Sequence, residues 1–207
     1  MPNKKQILPL FPLPDVVLFP GSPLPLHIFE PRYRSLVSDA MARDRLIGMI
    51  QPCEEGMKPR LYEVGCLGRI AECEALDDGR FNIILAGLAR FHVLRELDVA
   101  TPFRQVEAEV EPEARSEGEA LSAVTRAALE REARRFAEHL GYMVDWSAVA
   151  RLDDMTFVNS VAQVAPFDVA SKQALLEANT LVERAERAMQ LIQFYGYAQR
   201  DRPTTLQ

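Results

Sequence analysis

Between Leu8 and Val37 the chain reads LPLFPLPDVVLFPGSPLPLHIFEPRYRSLV. Pro2, Pro9, Pro12, Pro14, Pro20, Pro23, Pro25 and Pro31 are eight of its 14 prolines. They alternate with Leu, Val, Ile and Phe, not with Ser, Gln or Gly. Proline interrupts regular hydrogen-bonded ladders, while the apolar residues between demand burial. A segment of this kind threads a core as short extended pieces joined by fixed bends. It is too apolar for a disordered linker.

The rest of the chain divides by texture. Residues 1–111 hold most of the prolines and all three cysteines, and they alternate apolar with polar. Residues 112–207 are rich in Ala, Glu, Arg and Leu. Strands followed by helices indicate an α+β chain of two sub-domains, with the boundary at Glu111-Pro112-Glu113.

In the first part, strands are expected at Ile7–Leu10, Leu24–Ile28, Leu46–Ile50, Leu67–Leu76, Phe81–Leu94 and Phe103–Val110. A helix from Pro31 to Arg43 has Pro31 in its first turn and one apolar stripe of Tyr33, Leu36, Val37, Ala40 and Met41. Asp78-Gly79 is a hairpin signal. Gly87 inside the second hairpin arm marks a bend or bulge, so the strands suggest a small closed or half-closed barrel. In the second part, Ser116 and Glu119 form a capping-box pattern ahead of a helix to about Leu140. Asp153 or Asp154 starts a further helix, apolar almost all round through Ala165. A last helix spans Asp168–Tyr195, with Leu175, Ala178, Val182, Ala185, Met189 and Ile192 as its seam.

The formal charge is −6. An acidic chain is a poor nucleic-acid binder, and the cluster Arg131, Arg134 and Arg135 reads as a solvated helix face laced with Glu130 and Glu138. Cys53, Cys66 and Cys73 are odd in number and form no C-x-x-C pair. That argues against a zinc site or a disulfide framework and for reduced thiols in a cytoplasmic protein. No apolar run reaches membrane-span length. Pro9, Pro12, Pro14 and Asp15 interrupt any signal-peptide core.

No phosphate-cradling loop, nucleophile elbow or H-E-x-x-H motif is present, so no cofactor or metal is expected. His27 and His92 both fall on expected strands, where they could approach each other. No acid–base constellation is otherwise visible, and the chain reads as non-catalytic.

The runs Pro9-Leu10-Phe11-Pro12-Leu13, Val17-Leu18-Phe19-Pro20-Gly21 and Leu24-Pro25-Leu26-His27-Ile28-Phe29-Glu30-Pro31-Arg32-Tyr33 resemble the opening of the Lon protease N-terminal domain. The resemblance continues through Ile47-Gly48, Val64-Gly65-Cys66-Leu67-Gly68-Arg69-Ile70, Asp78-Gly79-Arg80 and Gly87-Leu88-Ala89-Arg90-Phe91. It implies a PUA-like β pseudo-barrel over 1–111, a helical bundle over 112–207, and engagement of unfolded or damaged protein substrates. The ATPase and Ser–Lys protease modules of the full protease are not in this sequence, and a free-standing domain is the expectation.

Within that motif Pro20, Gly21, Phe29, Glu30, Arg32, Tyr33, Gly48, Gly65, Gly79, Gly87, Arg90 and Phe91 read as structural. Glu30 suits the N-terminus of the following helix, with Arg32 or Arg90 as its partner. Phe19, Leu24, Pro25, Met49 and Met57 are the candidate peptide contacts, by strand addition at a barrel edge or through adaptable methionine surface. The partners expected are unfolded or extended protein segments, a separate protease or a regulatory protein. The alternatives are a small-molecule-binding or hydrolytic enzyme using His27 and His92, and RNA binding by analogy with PUA domains.

Overall fold

A computed structural model of the chain describes residues 4–54, 56, 58–111 and 120–200, with side chains through 196. The backbone divides into two compact units, Met1–Gly118 and Glu119–Gln207. The first holds β1 (Lys4–Pro12), β2 (Pro23–Ile28), α1 (Pro31–Met41), β3 (Leu46–Ile50), β4 (Val64–Ala75), β5 (Phe81–Glu96) and β6 (Gln105–Val110). The second holds α2 (Ala123–His139), α3 (Trp146–Val149), α4 (Asp154–Val164), α5 (Val169–Glu177) and α6 (Leu181–Arg200). The chain is therefore α+β.

The strands pair in the order β2-β5-β4-β3-β1-β6, and β5 pairs with β6 as well. The pairings β5–β4–β3–β1–β6 thus return to β5, and β2 is appended outside this ring. One long strand makes this arrangement work. The first part of β5, Phe81 to Ala86, pairs with β2, and its far end, from Phe91, pairs with β6. Between these stretches Gly68 sits opposite Gly87 while Leu67 sits opposite Ala89, so Leu88 is an extra residue. A bulge of this kind bends a strand and increases its twist. The bend expected at Gly87 is the point where β5 passes from one neighbour to the other.

Inside the ring, Leu8, Leu10, Ile50, Leu67, Ala89, Phe91, Val106, Ala108 and Val110 form one buried cluster. Phe91 is fully buried, and its ring occupies the space that glycines leave open. A Cβ on Gly65 would lie 2.5 Å from the Met49 carbonyl oxygen and 2.7 Å from Phe91 Cε1. A Cβ on Gly48 would lie 2.8 Å from Leu10 Cδ2.

The proline-rich opening does thread the core. After β1 the chain turns, and Val17, Leu18, Phe19 and Pro20 are buried. Gly21 has φ 78°, a left-handed conformation that suits glycine. Its N–H donates to the Gly87 carbonyl at 2.9 Å, and the Gly87 N–H donates to the Ser22 carbonyl at 2.9 Å. A Cβ on Gly87 would run into the Phe19 carbonyl. The opening segment is thus docked backbone to backbone on the bend of β5.

Helix α1 begins with Pro31 and buries Tyr33, Leu36, Val37 and Ala40. Tyr33 packs its ring 4.2 Å from that of Phe11 and donates its hydroxyl to the Pro12 carbonyl at 2.8 Å. Glu30 occupies the N-cap but makes no side-chain cap bond. Its carboxylate instead accepts from Arg32 Nε at 2.9 Å. The expected alternative, Arg90, pairs elsewhere, because the register of β5 and β6 brings it to Glu111.

In the helical unit, α2 is capped by Ser122, whose side chain accepts from the Thr125 N–H. Ser116 and Glu119 lie outside the described residues. Asp153 caps α4 and Asp168 caps α5, each through its carboxylate. Helix α4 is not apolar-packed all round, since Val164 is 66% exposed.

The single last helix expected over Asp168–Tyr195 is two helices. Thr180-Leu181-Val182-Glu183 is a capping box that starts the second of them. Thr180 Oγ1 accepts from the Glu183 N–H at 3.1 Å, and Glu183 Oε2 accepts from the Asn179 N–H at 2.9 Å. The break rotates the seam. Leu181, Arg184, Ala185, Ala188 and Ile192 are the buried residues, while Val182 is 42% exposed. Among the described residues no helix is long and apolar enough to cross a membrane.

Candidate functional site

The first unit exposes one sheet face whose composition is set by register. β2 is antiparallel to β5 with Pro23 opposite Ala86, Pro25 opposite Ile84 and His27 opposite Asn82. These pairs share one face, because strand side chains alternate. On β4, Glu72 lies opposite Ile84 and Glu74 opposite Asn82. Pro23, Pro25 and His27 are exposed, while Leu24 and Leu26 are half-buried and Ile28 is buried on the other face.

Phe29 follows directly and is 61% exposed, its ring centroid 6.3 Å from that of His27. The result is an apolar strip of Pro23, Pro25, Ile84, Ala86 and Phe29. An exposed strip of this type is a common mark of an interaction surface.

A polar chain borders the strip. His27 Nδ1 lies 2.7 Å from Asn82 Oδ1, and Asn82 Nδ2 donates to Glu74 Oε2 at 2.7 Å. Arg80 stands 3.2 Å from His27 Nε2 and donates from Nε to Asp78 Oδ2 at 2.6 Å. The Arg80 backbone N–H and its guanidinium hold the Asp78 carboxyl below its ordinary range. Gly79, at φ 78°, makes the turn that carries Asp78 and Arg80.

The expected contact residues separate under this geometry. Pro25 lies on the exposed face, and Leu24 is half-buried beneath it. Phe19 is fully buried and Met49 is 2% exposed, so both serve the core and neither is available to a ligand. Met57 lies outside the described residues. Phe29, expected as a structural residue, is the most exposed aromatic of this face. The i, i+2 alternation of Pro23, Pro25 and His27, running on to Phe29, was the signal that could have grouped it with them.

His27 and His92 do not meet. His27 pairs across from Asn82, ten residues before His92 on β5, which places them roughly 30 Å apart along the strand. His92 Nε2 instead lies 3.1 Å from Glu111 Oε1. Arg90 donates to the same carboxylate from Nε and Nη2, both at 2.9 Å, with the two side chains about nine-tenths buried. Burial raises the Glu111 carboxyl, but the hydrogen bonds and charge of Arg90, with His92, outweigh it and set it below the ordinary carboxylate range. This bidentate pair clamps the end of β6 to β5. Among the described residues no group of three or more His, Cys, Asp or Glu could hold a metal ion. Cys53, Cys66 and Cys73 form no disulfide.

The helical unit has a cleft of its own, about 190 Å³ in volume. Phe136, Trp146, Phe157, Val161 and Ile192 line it, and Tyr142, Val144 and Val164 stand exposed at its rim. Arg134 stacks over the Trp146 ring at 4.5 Å and bonds Glu130, which is the solvated pairing expected of that basic cluster.

Residues 7–193 match the model of the ATP-dependent protease La (LON) substrate-binding domain. Among curated relatives, Lon protease 2 of Myxococcus xanthus is 29% identical over 196 residues, spanning 90% of this chain and 23% of its own length. Lon protease of Geobacter metallireducens is likewise 29% identical, spanning 88% of this chain and 23% of its own. The chain thus spans about a quarter of the length of these relatives. Among solved structures, the Lon N-terminal domain protein from Xanthomonas campestris superposes with a TM-score of 0.67 at 24% identity, covering 89% of this chain and 98% of that one. The N-terminal domain of Mycobacterium avium complex Lon protease gives 0.68 at 17% identity, covering 91% and 98%. At these identities the two structures speak for the fold.

Proposed function

Because the chain belongs to the ATP-dependent protease La (LON) substrate-binding domain family, we propose that it captures unfolded or extended protein segments through the apolar strip on β2 and β5. The observation that carries this reading is the exposure of Pro25 and Phe29 on one face, in a family whose described role is substrate binding. Apolar side chains displayed along an unfolded segment gain by covering such a strip, and the bordering Glu72 and Glu74 favour segments that also carry Lys or Arg. In this reading the strand ring is a PUA-like pseudo-barrel that holds β2 rigid, and the helices form the accompanying bundle. The module acts in the cytoplasm as an adaptor or regulator of proteolysis, presenting substrates or competing for them, without catalysis of its own.

The volume of the helical cleft supports a second surface for the same ligands. It is smaller than pockets for drug-sized molecules and close to cavities that accept one aromatic ring, so it suits a single large apolar side chain.

Binding of a chemically unfolded, fluorescently labelled model protein tests the proposal. Wild-type chain should bind the unfolded form and ignore the folded one. Phe29→Asp with Pro25→Asp should weaken binding about tenfold or more, given what burying a large apolar side chain contributes. Val164→Asp tests the cleft in the same assay. Equal binding of folded and unfolded protein, or no loss in any variant, would sink the reading.

A further inference from the structure

The phase of the β2–β5 ladder decides how a segment can be held. The Gly87 N–H donates to the Ser22 carbonyl, so the pair at 22 and 87 is a hydrogen-bonded one. Hydrogen-bonded and non-hydrogen-bonded pairs alternate along an antiparallel ladder. Continuing the register, Leu24, Leu26 and Ile28 bond β5, while Pro23, Pro25 and His27 direct their backbone outward to the open edge. β2 is the strand outside the ring, and among the described residues it pairs on one side only.

Two of its three outward positions are prolines, which have no N–H. In place of the donor, each pyrrolidine ring projects Cδ into the space where an incoming strand's carbonyl would sit. His27 supplies the single outward N–H. Proline at such positions is a known means of blunting a sheet edge.

We infer that the β2 edge rejects strand addition, so that segments bound at this face are held by their side chains with no backbone ladder. The inference rests on the proposed function for its ligand, and on the ladder phase for its mode. It narrows the substrate class. Selection is by apolar side chains, and a segment rich in proline or unable to form a β-strand is accepted as readily as a strand-former.

The test uses the whole chain and three fluorescein-labelled decapeptides of one Leu- and Phe-rich sequence. One is unmodified, and the other two are N-methylated at alternate residues in the two possible phases. Side-chain capture predicts affinities within about threefold of one another. Strand addition would cost one of the methylated peptides several backbone hydrogen bonds, about a hundredfold or more. That loss would overturn the inference while leaving the proposed function standing. If none of the peptides binds, the proposed function fails.

The edge is then judged by a second arm that needs no ligand, Pro23→Thr with Pro25→Thr. Restoring two outward N–H groups and removing the rings should open the edge. The variant should self-associate more than wild type in sedimentation velocity, with a far-UV circular dichroism spectrum showing the fold retained. A folded variant with unchanged self-association would overturn the inference.

Discussion

Arg184 gives the sharpest test of what holds the helical unit. Its side chain is buried, and it donates from Nη1 to Asn159 Oδ1 at 2.7 Å and from Nε to the Leu175 carbonyl at 2.9 Å. Nη2 reaches the Ala178 carbonyl at 3.5 Å. Leu175 and Ala178 lie at the C-terminus of α5, where the Leu175 carbonyl takes a long 3.4 Å bond from the Ala178 N–H and the helix dipole favours a cation. The guanidinium therefore ends α5, starts the packed face of α6 and ties both to α4.

Arg184→Met keeps the length of the side chain and removes its donors. Losing the two short bonds, each made by a charged donor, costs about 1.5–3 kcal/mol apiece. Relief of the buried charge offsets part of that, so the net loss is about 3 kcal/mol. Trp146 is the sole tryptophan and lies in this unit, so its fluorescence follows the unfolding of the unit in urea. With a slope of about 1.5 kcal/mol/M, the midpoint should fall by about 2 M. Asn159→Leu added to Arg184→Met should cost less than the sum of the single changes, with a coupling of at least about 1 kcal/mol. A midpoint shift below about 0.5 M, or strict additivity, would refute the role assigned to the guanidinium.

Two predictions concern the strand unit. Gly87→Val puts a branched side chain against the Phe19 carbonyl, which belongs to backbone and cannot rotate away. It should destabilise the unit by about 3 kcal/mol or more, read as a loss of thermal stability in circular dichroism at 215 nm. Glu111 has a carboxyl pKa lowered in the folded state, so its contribution is complete above the ordinary glutamate value of about 4.3 and is lost as pH falls through the lower folded value. Unfolding midpoints taken between about pH 3 and pH 7 should therefore fall on the acid side, and fall less steeply in Glu111→Gln; identical slopes would count against the clamp.

Much of the architecture was legible because its signals are local. Proline between apolar residues, Asp78-Gly79, the alternation of Val106, Ala108 and Val110, and the caps at Asp153 and Asp168 each act within a few residues. Their outcome in the structure follows from turn chemistry and side-chain period. The one long C-terminal helix that the spacing predicts is divided for a local reason as well. The apolar spacing runs smoothly across Thr180-Leu181-Val182-Glu183, while the capping box there starts a new helix.

Other features had no local signature. The partner of Arg90 is Glu111, and of Arg184 a carbonyl and an amide, because packing and register deliver them. Phe19 and Met49 look in sequence like surface candidates, yet the threading of the opening segment and the ring of strands bury both.

By itself, then, the sequence determined where the chain bends, which stretches extend or coil, and the family to which they belong. Only the tertiary structure decided which face each residue shows, which distant groups the buried Arg90 and Arg184 side chains bond, and that Pro23 and Pro25 turn their missing donors outward. Period and turn preference are encoded within a few neighbouring residues. Pairing phase depends on a strand nearly sixty residues away, and no short stretch of sequence carries it.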